Sequence, residues 1–149
     1  MTQAGTTAQE LLLDGRDVAM LPWRAFAGRS GLRDRVLWQD PAGRTYAGLL
    51  HMDAGTSVPS HVHRHAVHHL WVVSGSCTID GRVLDGGSYV FVPAGLEHGI
   101  QRAGRAGCVL FYLYQTAADR TPERVGPPTP DQPSTPAGRG WAATGIGGG

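Results

Sequence analysis

Five of the seven histidines fall within residues 55–75, GTSVPSHVHRHAVHHLWVVSG: His61, His63, His65, His68 and His69. A sixth, His98, lies in GSYVFVPAGLEHG, residues 87–99. Neutral imidazole is the commonest side-chain ligand for a metal, and it suits Zn, Cu, Fe and Ni. The two stretches therefore point to one divalent ion held between them. On a strand, His61 and His63 share a face with Cα atoms about 6.6 Å apart, which suits two ligands on one ion. His65 shares that face only if the strand runs on, and it then lies about 13 Å from His61. Either the chain turns within residues 64–67 or His65 takes no part. His68 and His69 are adjacent, so only one of them faces inward on a strand. His65 and His69 stand as alternatives to His68 as a ligand. Tyr112 and Tyr114 share a face of a later strand; they are candidates to hydrogen-bond a metal-bound ligand, or they are buried structural phenols. No Ser stands in a G-x-S-x-G elbow, so a nucleophilic triad has no support.

Rigid elements must hold these histidines, and the chain supplies β-forming runs at residues 35–39, 45–52, 60–63, 70–73, 76–79, 82–84, 89–92 and 108–115. Asp40-Pro41-Ala42-Gly43 is a turn signal and Asp80-Gly81 a hairpin signal. Short strands separated by Gly or Pro predict an all-β sandwich or barrel. Pro93 and Gly95 place Glu97 and His98 in a turn. Residues 11–26 are apolar without a clean period; they read as a strand or helical turn followed by a lid segment centred on Pro22 and Trp23. Residues 121–149 carry six of the ten prolines, many glycines and the lone aromatic Trp141, the composition of a disordered tail. The predicted organisation is an N-terminal segment at residues 1–33, a barrel at 34–115 and a disordered Pro/Gly-rich tail at 116–149.

The spacing resembles the two signature motifs of the cupin superfamily. The first reads Gly55, His61, His63, His68, Gly75; the second reads Gly87, Pro93, Gly95, His98. The resemblance implies a jelly-roll β-barrel that holds a divalent metal on His61, His63, His68 and His98. In the common motif the third of these positions is a glutamate. Here it is His68, and the only Glu between Leu11 and Pro122 is Glu97, expected to face solvent or the barrel mouth. The chain is thus similar to four-histidine manganese cupins and to three-histidine cupin dioxygenases. Residues 31–55 with Trp23 also look like cupins related to hydroxyacetophenone dioxygenases and to the zinc-binding cupin of ChrR-type anti-sigma factors. The family pattern points Met52 inward and His51 outward. Arg102 stands where the family often has Asn.

Replacing the carboxylate by imidazole changes the chemistry. Three His and one Glu leave a divalent site at about +1, and neutral His alone leaves about +2. Such a site favours an anionic oxygen ligand. The resulting expectation is a metal-dependent dioxygenase that cleaves a small diketone, hydroxyketone or phenolic ketone, in a barrel lined by Leu50, Met52 and Val90. A non-catalytic metal- or ligand-sensing module and a redox-neutral isomerase or cyclase are the alternatives. Mn, Fe, Ni or Zn is the expected ion, with Mn implied by resemblance.

Other classes are disfavoured. Net charge is +1 without an Arg-rich run, which argues against nucleic acid. No apolar stretch approaches membrane-spanning length, and no secretory leader is recognisable. Cys77 and Cys108 sit in strand-like runs without C-x-x-C spacing, so they read as small core residues in a reducing, cytoplasmic compartment. The chain has no Lys and no Asn, as in a GC-rich bacterial gene. A homodimer using outward Trp71 and His69 is expected.

Overall fold

The computed structural model describes residues 10–26, 28–42 and 44–116. Residues 1–9 and, from residue 117 on, the predicted tail with Trp141 lie outside the described residues; residue 116 ends the last strand. The described residues are all-β apart from one short helix. Helix α1 (Gly15–Met20) is followed by β1 (Arg24–Ala25), β2 (Leu32–Gln39), β3 (Tyr46–Met52), β4 (Val58–Val62), β5 (Ala66–Ile79), β6 (Arg82–Asp85), β7 (Tyr89–Val92), β8 (Glu97–Ile100) and β9 (Arg102–Thr116). A seven-stranded sheet runs β1-β2-β3-β9-β5-β6, with β7 also paired to β5; β4 and β8 form a second, two-stranded sheet. All pairs are antiparallel.

The inward faces of β3, β5 and β9 divide the barrel in two. At one end Leu32, Met52, Val72, Cys77, Ile100, Ala103, Cys108 and Leu110 form one buried cluster. Met52 and Leu110 are fully buried. Further along the same strands, Leu50, Tyr46, Tyr112, Leu70 and His68 line a cavity instead. The solid end supplies the hydrophobic stabilisation, on the order of 1.5–3 kcal/mol per large buried side chain. The hollow end is free for chemistry. The expected lining is corrected here: Leu50 and Val90 line the cavity, but Met52 belongs to the packed cluster.

Three local expectations also change. Residues 70–73 and 76–79 are one long strand, β5, because Gly75 adopts φ +70 and bends the strand without ending it. The register slips on both sides of it, as a bulge requires. A Cβ at Gly75 would collide with the Gly107 carbonyl oxygen of β9. Residues 97–100 are strand β8 rather than a turn, since their partner β4 is distant in sequence. The last strand begins at Arg102, well before the expected 108.

Residues 11–26 begin with a helical turn. Asp14 caps α1 by accepting from Arg16 N at 2.7 Å and Asp17 N at 2.9 Å, while the Asp17 carboxylate accepts in return from Asp14 N, a reciprocal capping box. Trp23 then packs on the outside of the barrel. Its ring is edge-on to His51 at 5.8 Å, and the Arg35 guanidinium stacks over it at 4.1 Å. His51 faces outward and contacts Arg33 at 3.2 Å. Beyond this anchor, Phe26 and Arg29 reach the cavity. No helix among the described residues is long and apolar enough to cross a membrane.

Candidate metal centre

The small sheet carries two of the candidate ligands. His61 on β4 and His98 on β8 are direct register partners, with ring centroids 4.4 Å apart. His63 lies just past the end of β4, and its ring is 4.7 Å from that of His61 and 5.1 Å from that of His98. One ring nitrogen from each of His61, His63 and His98 can be chosen so that all three lie within 4.8 Å of one another. The Nε2 atoms of His61 and His63 are 3.0 Å apart. Two nitrogens bound to one ion at about 2.1 Å and at right angles have that same spacing, about 3.0 Å.

The Nδ1 atoms explain why the Nε2 atoms converge. His61 Nδ1 is 2.8 Å from the Pro59 carbonyl oxygen, and His98 Nδ1 is 3.0 Å from the Leu96 carbonyl oxygen. A carbonyl only accepts, so each Nδ1 carries the proton and each Nε2 presents a lone pair. The Nε2 of His98 is buried without a hydrogen-bond partner among the described residues. A buried acceptor in that state is costly unless something fills it. His63 Nδ1 faces the Tyr114 hydroxyl at 3.1 Å. With a metal on His63 Nε2, Nδ1 donates to Tyr114. This donor set fits a divalent ion.

His68 comes from the large sheet and faces the same cavity. Its ring is 4.5 Å from His63, 5.4 Å from His98 and 4.7 Å from Tyr114, but it stands outside the mutually close three-nitrogen group. Burial, reinforced by the neighbouring histidines, pushes its pKa down to about 3. Burial does the same to His63, down to about 4 with His61 and His98 contributing, and it lowers His98. These rings are therefore neutral near pH 7, the form in which imidazole binds a metal.

The remaining residues separate cleanly. His69 points out of the barrel to the Tyr89 hydroxyl at 2.7 Å, and His65 is exposed. Glu97 accepts from Ser60 at 2.8 Å on the outer surface. Cys77 and Cys108 are free and buried. Tyr114 touches His63, whereas Tyr112 turns away to donate to Asp34. Sequence reasoning passed over Asp34, Tyr46 and Arg29, all of which line the cavity. The alternation of Asp34 with Arg33 and Arg35 on a strand was the available signal for an inward carboxylate.

The sequence profile of the ChrR cupin-like domain matches residues 14–118. The chain belongs to this cupin family. No curated protein matches the sequence. Among solved structures, an RmlC-like cupin from Ralstonia eutropha is 26% identical over 72% of this chain and 69% of that one, with a TM-score of 0.61. The complex of SigE with the anti-sigma ChrR from Rhodobacter sphaeroides is 27% identical over 66% of this cupin, with a TM-score of 0.53; the match spans about half, 52%, of that chain. An acetylacetone dioxygenase from Acinetobacter johnsonii shares the fold at 17% identity, covering 80% of this cupin and 85% of that chain, with a TM-score of 0.58. The barrel and its histidine cluster are thus those of a cupin with a possible three-histidine metal site.

Proposed function

We propose that this cupin is a metal-dependent dioxygenase that cleaves a small diketone, hydroxyketone or phenolic ketone. The observation that carries the proposal is the convergence of three imidazole nitrogens, that of His98 buried without a partner among the described residues, on the wall of an apolar cavity of about 390 Å³. That volume is at the small end of ordinary ligand sites, which run from about 300 to 1,000 Å³. His61, His63 and His98 would hold the ion, and His68 would complete a four-histidine set. When bound, a divalent ion supplies Lewis acidity and, if redox-active, electron transfer to dioxygen.

The chain's own residues supply the rest. Leu50, Leu70, Val90 and Val92 give the cavity an apolar lining. The Pro59 and Leu96 carbonyls fix the tautomers of His61 and His98. Tyr114 orients His63 and sits beside His68. Burial raises the Tyr114 phenol above its ordinary range, so near neutral pH it is a hydroxyl that can accept from His63 and donate to substrate.

A second reading has one specific support. The matching family takes its description from ChrR, and a ChrR complex is among the structural relatives. A ligand- or metal-sensing module without turnover is therefore the alternative. Dioxygen uptake separates the two. Elemental analysis followed by an oxygen-electrode screen of diketones and hydroxyketones should give metal-dependent uptake. A metal-loaded protein that binds such compounds without consuming dioxygen would transfer the conclusion to the sensor, or to a redox-neutral isomerase. We also infer a homodimer from the exposed Trp71, Val73 and Tyr89 on the outer face. A monomer mass by sedimentation at working concentration would refute it.

A further inference from the structure

The cavity has a second polar end that the histidines do not use. Asp34 on β2 and Tyr112 on β9 both line it, and the Tyr112 hydroxyl donates to Asp34 Oδ1. These strands are not neighbours, because β3 runs between them. The phenol crosses β3 at Gly48, where any Cβ would collide with the Tyr112 hydroxyl and the Arg35 carbonyl oxygen. Burial first, then Asp34, holds the Tyr112 hydroxyl far above the ordinary phenol range, so it stays a donor. Three strands are thus arranged around one carboxylate.

The carboxylate has a single protein partner among the described residues. Asp34 makes no ion pair among the described residues, and its only side-chain hydrogen bond among them comes from Tyr112. A partly buried carboxylate in an apolar wall retains acceptor capacity that a ligand can fill. Arg29 lines the same cavity, and its charge disfavours a cationic ligand. A neutral donor, a hydroxyl, fits both groups.

We propose that Asp34, held by Tyr112, is the specificity-determining residue of the cavity and accepts a hydrogen bond from a hydroxyl at the end of the substrate remote from the histidines. This rests on the substrate-binding role proposed above, and it selects hydroxylated ketones over plain ones. Tyr112 is one pleat from Tyr114, and β2 is two strands from β9, so the two ends are on the order of 10 Å apart across the sheet. The substrate is an elongated molecule with coordinating oxygens at one end and a hydroxyl at the other.

The test is calorimetric titration of the full chain loaded with Zn²⁺, which cannot supply electrons for turnover. The probes are six-, seven- and eight-carbon 2,4-diones, each with and without a terminal hydroxyl. A hydrogen bond to a charged acceptor should tighten binding about tenfold for at least one chain length. Asp34→Leu should abolish that preference, read as the affinity ratio within each pair, and Asp34→Asn, which keeps an acceptor, should retain a smaller one. General structural damage would weaken both members of each pair alike, so the ratio isolates Asp34. Equal affinity within every pair in the wild-type protein would overturn the proposal while leaving the metal-dependent reading intact. A preference that survives in Asp34→Leu would overturn it as well. If no dione of either kind binds, the ketone-substrate reading fails and this inference fails with it.

Discussion

His98→Ala separates the metal's contribution to stability from the fold's own. If total metal-binding energy is about 10–16 kcal/mol, as in structural zinc sites, one ligand among four is worth about 3 kcal/mol, or about 150-fold in affinity. At a metal concentration one hundred times the wild-type Kd, binding stabilises the wild-type protein by about 2.7 kcal/mol. At the same concentration the variant gains only about 0.3 kcal/mol. For a domain of this size, about 4 °C per kcal/mol makes this a metal-induced Tm rise of about 11 °C in the wild type and about 1 °C in the variant. The metal-free proteins should differ less than an ordinary core truncation would suggest. In the wild type, His98 Nε2 is buried without a partner among the described residues, a penalty of about 1–3 kcal/mol that alanine removes. Differential scanning calorimetry of both proteins, with chelator and with metal, reads all four values. A variant whose Tm climbs with metal as far as the wild type's would refute the ligand assignment.

Three further outcomes are expected. Tyr114→Phe removes the hydroxyl beside His63 Nδ1 and should weaken metal binding about 10–100-fold; competition against a chelator measures it, and an unchanged Kd would deny Tyr114 its orienting role. In the metal-free protein the folded pKa values of His63 and His68, about 4 and about 3, lie below the unfolded value of about 6.5. The unfolded chain therefore binds protons first as pH falls, so stability is full above about pH 7 and declines through the interval down to about pH 3. After discounting for the exposure of these rings, the loss at pH 5 should be about 2 kcal/mol by urea titration, and a flat profile from pH 7 to 5 would contradict the buried-imidazole geometry. Leu110→Ala empties a fully buried position in the solid end and should cost about 2–5 kcal/mol while leaving metal affinity at the other end near wild type. A large loss of metal affinity in that variant would contradict the division of the barrel.

Much of the fold was legible because its signals are local. Period-two runs with Gly and Pro between them announce antiparallel strands, and Asp80-Gly81 indeed turns β5 into β6. The spacing of Gly55, His61, His63, His68 and Gly75 marked the histidine-bearing stretch through its resemblance to the first cupin motif. Strand β8 was missed for the opposite reason. Its pairing partner β4 is more than thirty residues away, and Pro93 with Gly95 made the local pattern read as a turn. A glycine that ends a strand and one that bulges it, as Gly75 does, look the same in sequence.

The sequence by itself determined the chemistry available: an all-β barrel, a set of histidines in place of a motif carboxylate, and strand alternation that let only one of His68 and His69 face inward. Only the tertiary structure decided how those groups meet. It set His61 against His98 across the small sheet, aimed three Nδ1 atoms at Pro59, Leu96 and Tyr114, and left His68 beside the three-nitrogen group instead of within it. It also brought Tyr112 over Gly48 to Asp34, a contact between residues 78 positions apart. Alternation along a strand is a property of the backbone alone, whereas contacts across strands depend on register and twist, which are settled when the whole barrel closes.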